Sequence, residues 1–148
     1  SYSQQLSNFV YRIDAMKKLV NDNSKNVQSS ELRRANSALS LTLTNTKRDS
    51  AAPLAAADIK KLPTAPKTSA VTKEFAAVST RLEDARLNNQ FDRVYVREIS
   101  YQIATARSEI KRLGNTSKSK SLKEFLTSAE NNFAPLNDQF ESFNNAQG

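Results

Sequence analysis

Gly114 is the only glycine inside this chain of 148 residues; the other, Gly148, is its last residue. Glycine supplies the positive-φ positions that tight hairpins need. With only four prolines besides, the chain has too few turn residues for a many-stranded sandwich or barrel, and it suits long helices. Apolar residues make up only 38% of it, which fits a slender bundle with much wet surface. The length suffices for one domain with its own core, so residues 1–148 read as a single helical-bundle domain.

The strongest periodic stretch runs from Phe91 to Asn115. Val96, Ile99, Ile103, Ala106, Ile110 and Leu113 alternate steps of three and four, which places them on one helical stripe. Asp92 is in position to cap the first turn, with Phe91 and Val96 as a hydrophobic staple around it, and Gly114 to end the helix in the left-handed conformation. Tyr95 and Tyr101 flank this stripe, and a buried tyrosine needs a partner for its hydroxyl.

The same spacing predicts four more segments. Residues 2–22 carry Tyr2, Leu6, Phe9, Ile13, Met16 and Val20 on one face, widened by Val10 and Leu19. Residues 30–47 carry Leu32, Ala35, Leu39, Leu43 and Thr46, although Ser40 to Thr44 also alternates with period two, as a strand would. Residues 70–87 carry Val71, Phe75, Val78, Leu82 and Ala85, and Asn88 to Gln90 forms a short turn to an antiparallel neighbour. The last helix opens on the capping-box pattern Ser121 to Glu124 and carries Leu122, Leu126, Ala129, Phe133, Leu136, Phe140 and Phe143. Pro135 predicts a kink there, and the tail from Asn144 is expected to fray. Between the second and third helices, residues 48–69 hold Pro53, Pro63 and Pro66, which predict a long crossover over the end or side of the bundle. The fold class that follows is all-α, an up-and-down bundle of four or five helices.

Composition narrows the chemistry. The absence of cysteine excludes disulfides, thiolate zinc sites and cysteine nucleophiles. The absence of histidine removes the commonest general base and the commonest transition-metal ligand. Gly114 alone makes no phosphate-binding glycine loop or nucleophile elbow, and no calcium-loop pattern occurs. Glu83, Glu98, Glu109 and Glu124 fall mostly beside the apolar stripes and read as solvated helix faces. The expectation is a protein that is not an enzyme, with no catalytic residues, no cofactor and no metal. No apolar run approaches the roughly 20 residues that span a bilayer. No signal peptide is visible, and Ser1 is not a natural start, which leaves room for a leader or anchor before it.

Phe91-Asp92-Arg93-Val94-Tyr95 resembles the Phe-Asp-Arg-Ala-Tyr signature of a helical family, the domain of unknown function numbered 4142. Ser30-Glu31-Leu32-Arg33, Leu62-Pro63-Thr64 and Leu122-Lys123-Glu124-Phe125 are similar to three further pieces of that family, in the same order along residues 29–140. The resemblance implies a ferritin-like bundle exported by bacteria, hence an extracytoplasmic location: periplasmic, cell-surface or secreted. The family commonly carries a histidine in three of its helices. Those positions fall here on Leu43, Ile103 and Leu136, and an aspartate that often precedes one of them becomes Gln102. All three apolar residues lie on the core stripes derived from spacing, so ordinary core takes the place of a polar inner layer.

The net charge of +7 reads either as a solvated surface or as affinity for something anionic: an envelope polymer, a lipid headgroup or nucleic acid. Lys111, Arg112, Lys118, Lys120 and Lys123 form the clearest cluster, five cations with no acid between them, around one helix–helix turn. No aromatic side chain is interleaved with them, which disfavours nucleic acid. The expected function is a structural or interaction module whose basic end binds an unknown protein or an anionic envelope component. A ferritin-like metal or redox protein and a basic nucleic-acid-binding bundle are the alternatives.

Overall fold

The computed structural model describes residues 1–57, 59 and 65–147, and shows five α-helices and no strand among them. They are α1 (Tyr2–Asn23), α2 (Ser30–Ala56), α3 (Ala70–Leu87), α4 (Phe91–Thr116) and α5 (Lys120–Gln147), with a 3-10 turn at Ser24–Asn26. The predicted crossover residues Leu62, Pro63 and Thr64 lie outside the described residues, as do Asp58, Lys60, Lys61 and Gly148.

Successive helices run up and down. Asp14 pairs with Lys47, the Tyr2 hydroxyl donates to Ser117 Oγ at 3.3 Å, and Arg107 pairs with Glu130. Each pair joins an early residue of one helix to a late residue of its neighbour, or mid-helix to mid-helix. Helices α1, α2, α5 and α4 form a closed ring in which each touches the next, and α3 packs against both α1 and α4. One apolar cluster fills the ring, including Phe9, Met16, Leu39, Tyr95, Phe133 and Phe140. Leu43 and Ile103 are fully buried and Leu136 is 7% exposed, so all three stripe positions belong to this core.

Several local expectations are corrected. Helix α2 does not stop at 47; it continues through Pro53 to Ala56. Pro53 stands in the last turn, where only one intrahelical bond is lost, and buried Leu54 anchors that turn in the core. The connection therefore begins at Ala57 rather than 48, and it joins helix ends on the same side of the bundle. The helix expected over residues 30–47 does hold through the period-two pattern at Ser40 to Thr44: Thr44 and Thr46 donate to the carbonyls of Ser40 and Thr42, four residues back. Pro135 lies inside α5, which runs on to Gln147, past the predicted frayed tail.

The helix ends differ as well. Gly114 does not end α4, which continues to Thr116; no glycine in the described residues has positive φ. The residue in the left-handed region is Asn89, with φ of 57°, in the α3–α4 turn. Helix α5 is capped by Ser119, whose Oγ accepts from Leu122 N at 3.2 Å, and not by the box at Ser121. Asp92 caps a different helix from its own. Its two carboxylate oxygens accept from Gln28 N at 2.9 Å and Ser29 N at 2.8 Å, just ahead of α2. A carboxylate there serves two amides that have no helical partner and faces the positive end of the α2 dipole. Tyr101 is 63% exposed and lies off the core, unlike Tyr95.

Candidate functional site

Both ends of the α4–α5 connection are tied down. Ser117 N donates to Leu113 O at 2.8 Å, which closes the last turn of α4. Ser117 is itself buried, accepts from Tyr2 of α1, and accepts through the same Oγ from Ser119 N at 3.3 Å. This turn holds the five predicted cations on fixed backbone. Lys111 and Arg112 sit in the last turns of α4, Lys118 in the connection, and Lys120 and Lys123 in the first turn of α5. All five are exposed, and none lies within ion-pair distance of a carboxylate among the described residues. Unpaired cations brought together at one end produce a positive potential that screening in salt weakens but does not abolish at short range.

The five divide between a groove and the surface around it. Lys111 and Lys123 line a groove between α4 and α5, while Arg112, Lys118 and Lys120 stand outside it. The groove is open on one side and measures about 600 Å³. Ser108 and Asn115 line it from α4, and Thr127 and Asn131 from α5. Ile110 and Leu126, both nearly fully buried, give it an apolar floor, and half-buried Gly114 lines it from α4. Away from the basic end, Arg107 donates to Glu130 through Nε at 2.5 Å and to Asn137 Oδ1 through Nη1 at 2.8 Å. The groove was not legible from the charge pattern, because that pattern does not show where α4 and α5 part.

A second polar centre lies inside the bundle, at residues that the apolar stripes do not mark. Arg12 of α1 is 6% exposed. Its Nη1 donates to Glu74 Oε2 of α3 at 2.8 Å and to Gln102 Oε1 of α4 at 2.7 Å, and its Nε donates to Glu109 Oε1 at 2.9 Å. Burial works against the charged form of Arg12, yet Glu109 and Glu74 together hold its pKa above the ordinary guanidinium value. Burial pushes the Glu109 carboxyl up, against the opposing pull of Arg12. Glu98 is also buried and takes two bonds from Arg81, at 2.7 and 2.9 Å. Glu98 and Glu109 are thus structural ion-pair partners and not solvated faces, whereas Glu83 and Glu124 are exposed as expected. Glu98, Gln102 and Glu109 are spaced by four and seven, which puts them along one side of α4; that spacing was the available signal.

Another polar core group is Asn36, whose Oδ1 accepts from the hydroxyl of Tyr95. This satisfies the one polar atom of a fully buried ring that also stacks on Phe91, centroids 5.3 Å apart. Burial pushes the Tyr95 hydroxyl well above the ordinary phenol range, so it stays a donor. Arg93 donates to Gln90 Oε1 at 2.9 Å on the surface. Each polar residue of the Phe-Asp-Arg-x-Tyr stretch therefore has a structural partner. Among the described residues no three carboxylates converge as a metal cluster, and no helix is long and apolar enough to cross a membrane. The chain matches no family model, and no curated protein or solved structure shows significant similarity to it.

Proposed function

We propose that this chain is a non-catalytic, extracytoplasmic interaction module, a ferritin-like bundle whose basic end binds an anionic surface or partner. The observation that carries the reading is the set of five exposed cations, Lys111, Arg112, Lys118, Lys120 and Lys123, gathered around one turn with no carboxylate within ion-pair distance among the described residues, Arg112 alone feeling the charge of Glu109. A solvated bundle surface ordinarily intersperses the two signs of charge, and elsewhere on this chain it does, as in Lys18–Asp22, Lys47–Asp14 and Arg86–Glu83.

The ion pairs inside the bundle support a structural rather than a catalytic role for its charged groups. Arg12, Glu74, Glu109, Arg81 and Glu98 are committed to one another across helices. The extracytoplasmic placement and the ferritin-like kinship rest on the resemblance of Phe91 to Tyr95 and its companion pieces to the 4142 family. The absence of any aromatic among the clustered cations favours an anionic polymer or lipid headgroup over nucleic acid.

The test is co-sedimentation with vesicles containing one-third anionic lipid and with a soluble polyphosphate, at 50 and 300 mM salt. Binding at low salt that collapses at high salt is the expected result. No association with either probe at 50 mM salt overturns the reading.

A further inference from the structure

We infer that the groove between α4 and α5 is a binding site for an anionic polyol: a hydroxyl-rich molecule, or unit of a polymer, that carries a phosphate or carboxylate. The inference rests on the reading of the basic end as an anion-binding surface and names the seat and chemistry of its ligand.

Four features of the groove select that class. Its volume of about 600 Å³ lies within the range of small-molecule sites. Its charge is unbalanced: Arg107 and Glu130 cancel, while Lys111 and Lys123 have no carboxylate partner among the described residues. Its remaining polar groups are amides and hydroxyls, which donate and accept and so match the hydroxyls of a polyol. No aromatic side chain lines it, so it offers no platform for stacking a nucleobase.

Gly114 supplies the independent observation. It stands within α4 with ordinary helical φ, two residues short of the helix end. A helix-interior glycine weakens its helix relative to alanine. Packing does not require it, since a Cβ built there meets nothing within 4 Å. Turn geometry does not require it either, because the chain does not turn there. What the missing side chain does provide is open space along the α4 wall of the groove, one turn on from Lys111. That space lets a ligand approach the α4 backbone closely.

The experiment is a ¹H–¹⁵N titration of the whole chain with glycerol 3-phosphate, glucose 6-phosphate and glucuronate, with inorganic phosphate and glucose as controls. At least one anionic polyol is expected to shift amides of residues 108–115 and 123–131, and to saturate at concentrations tenfold or more below inorganic phosphate. Glucose 6-phosphate against glucuronate then separates a phosphate ligand from a carboxylate one. Gly114→Leu fills that space and is expected to lower affinity at least tenfold with the melting temperature at or above that of the parent. Gly114→Ala, which adds only a Cβ in open space, is expected to raise the melting temperature with a smaller loss of affinity. Lys111→Gln with Lys123→Gln is expected to lower affinity at least tenfold. Failure of every polyol to outcompete inorganic phosphate, or parental affinity in Gly114→Leu, overturns the inference. If vesicle or polyphosphate binding persists in that case, the groove is excluded and the reading of the basic end stands; if the parent binds neither probe, that reading fails first.

Discussion

Arg12 of α1 and Glu109 of α4, 97 residues apart in the chain, meet inside the bundle with Nε 2.9 Å from Oε1. The pair is the centre of a network that also holds Glu74 and Gln102, so three helices share one buried cation. Removing one partner of such a network leaves an uncompensated charge in the interior, which costs far more than the intact pair contributes.

Arg12→Met is therefore expected to destabilise the fold by about 3–5 kcal/mol. Urea denaturation followed by circular dichroism measures it. A loss below about 1 kcal/mol would mean that the network is wetter than its geometry indicates.

Glu109 gives the network a pH dependence with a definite sign. Its folded pKa is raised above the ordinary 4.5, so protons favour the folded state. The stability linked to this group is fully present below 4.5 and is lost as pH rises through the folded value. Glu109→Gln stays neutral throughout and loses nothing over that window. The stability of the variant relative to the parent is thus expected to improve from pH 4 to pH 7. A relative decline over the same range would place the Glu109 pKa below its ordinary value and contradict the assignment.

Asp92 is expected to act on α2 rather than on its own helix. Asp92→Ala removes the acceptor for Gln28 N and Ser29 N and should cost about 1–2 kcal/mol, as loss of a helix cap does. Hydrogen exchange locates the effect. Faster exchange at residues 28–32 with little change at 92–95 is the predicted pattern; the reverse would restore Asp92 as a cap of α4.

The apolar architecture was legible in the sequence because burial repeats with the helical period. Leu43, Ile103 and Leu136 were placed on core stripes by spacing alone, and all three are buried. What escaped depends on contacts between segments. Asp92 sits at the start of one helix and serves the next, a relationship no local pattern contains. Gly114 and Pro53 read as stops, yet both are helical, since neighbouring anchors such as Leu113 and Leu54 are buried and hold the backbone. The five cations were legible as a cluster; that two of them line a groove and three do not depends on how α4 and α5 pack.

Truncation of the three stripe residues tests that architecture. Leu43→Ala, Ile103→Ala and Leu136→Ala are each expected to cost about 2–5 kcal/mol, the range for emptying a core leucine or isoleucine site. Thermal denaturation of the three variants checks this. A change within about 0.5 kcal/mol at any position would show that its side chain is not part of the packed core.

The most direct test of the proposed function compares two charge-matched triple variants on anionic vesicles at 50 mM salt. One is Lys118→Gln, Lys120→Gln and Lys123→Gln at the basic end. The other is Lys18→Gln, Lys25→Gln and Arg34→Gln, exposed at the opposite end of the bundle. Both remove three charges from the same net +7. Loss of most binding in the first variant, with near-parental binding in the second and an unchanged fold in both, is the result predicted. Equal loss in the two would show that net charge alone drives association, and would contradict a site at this end.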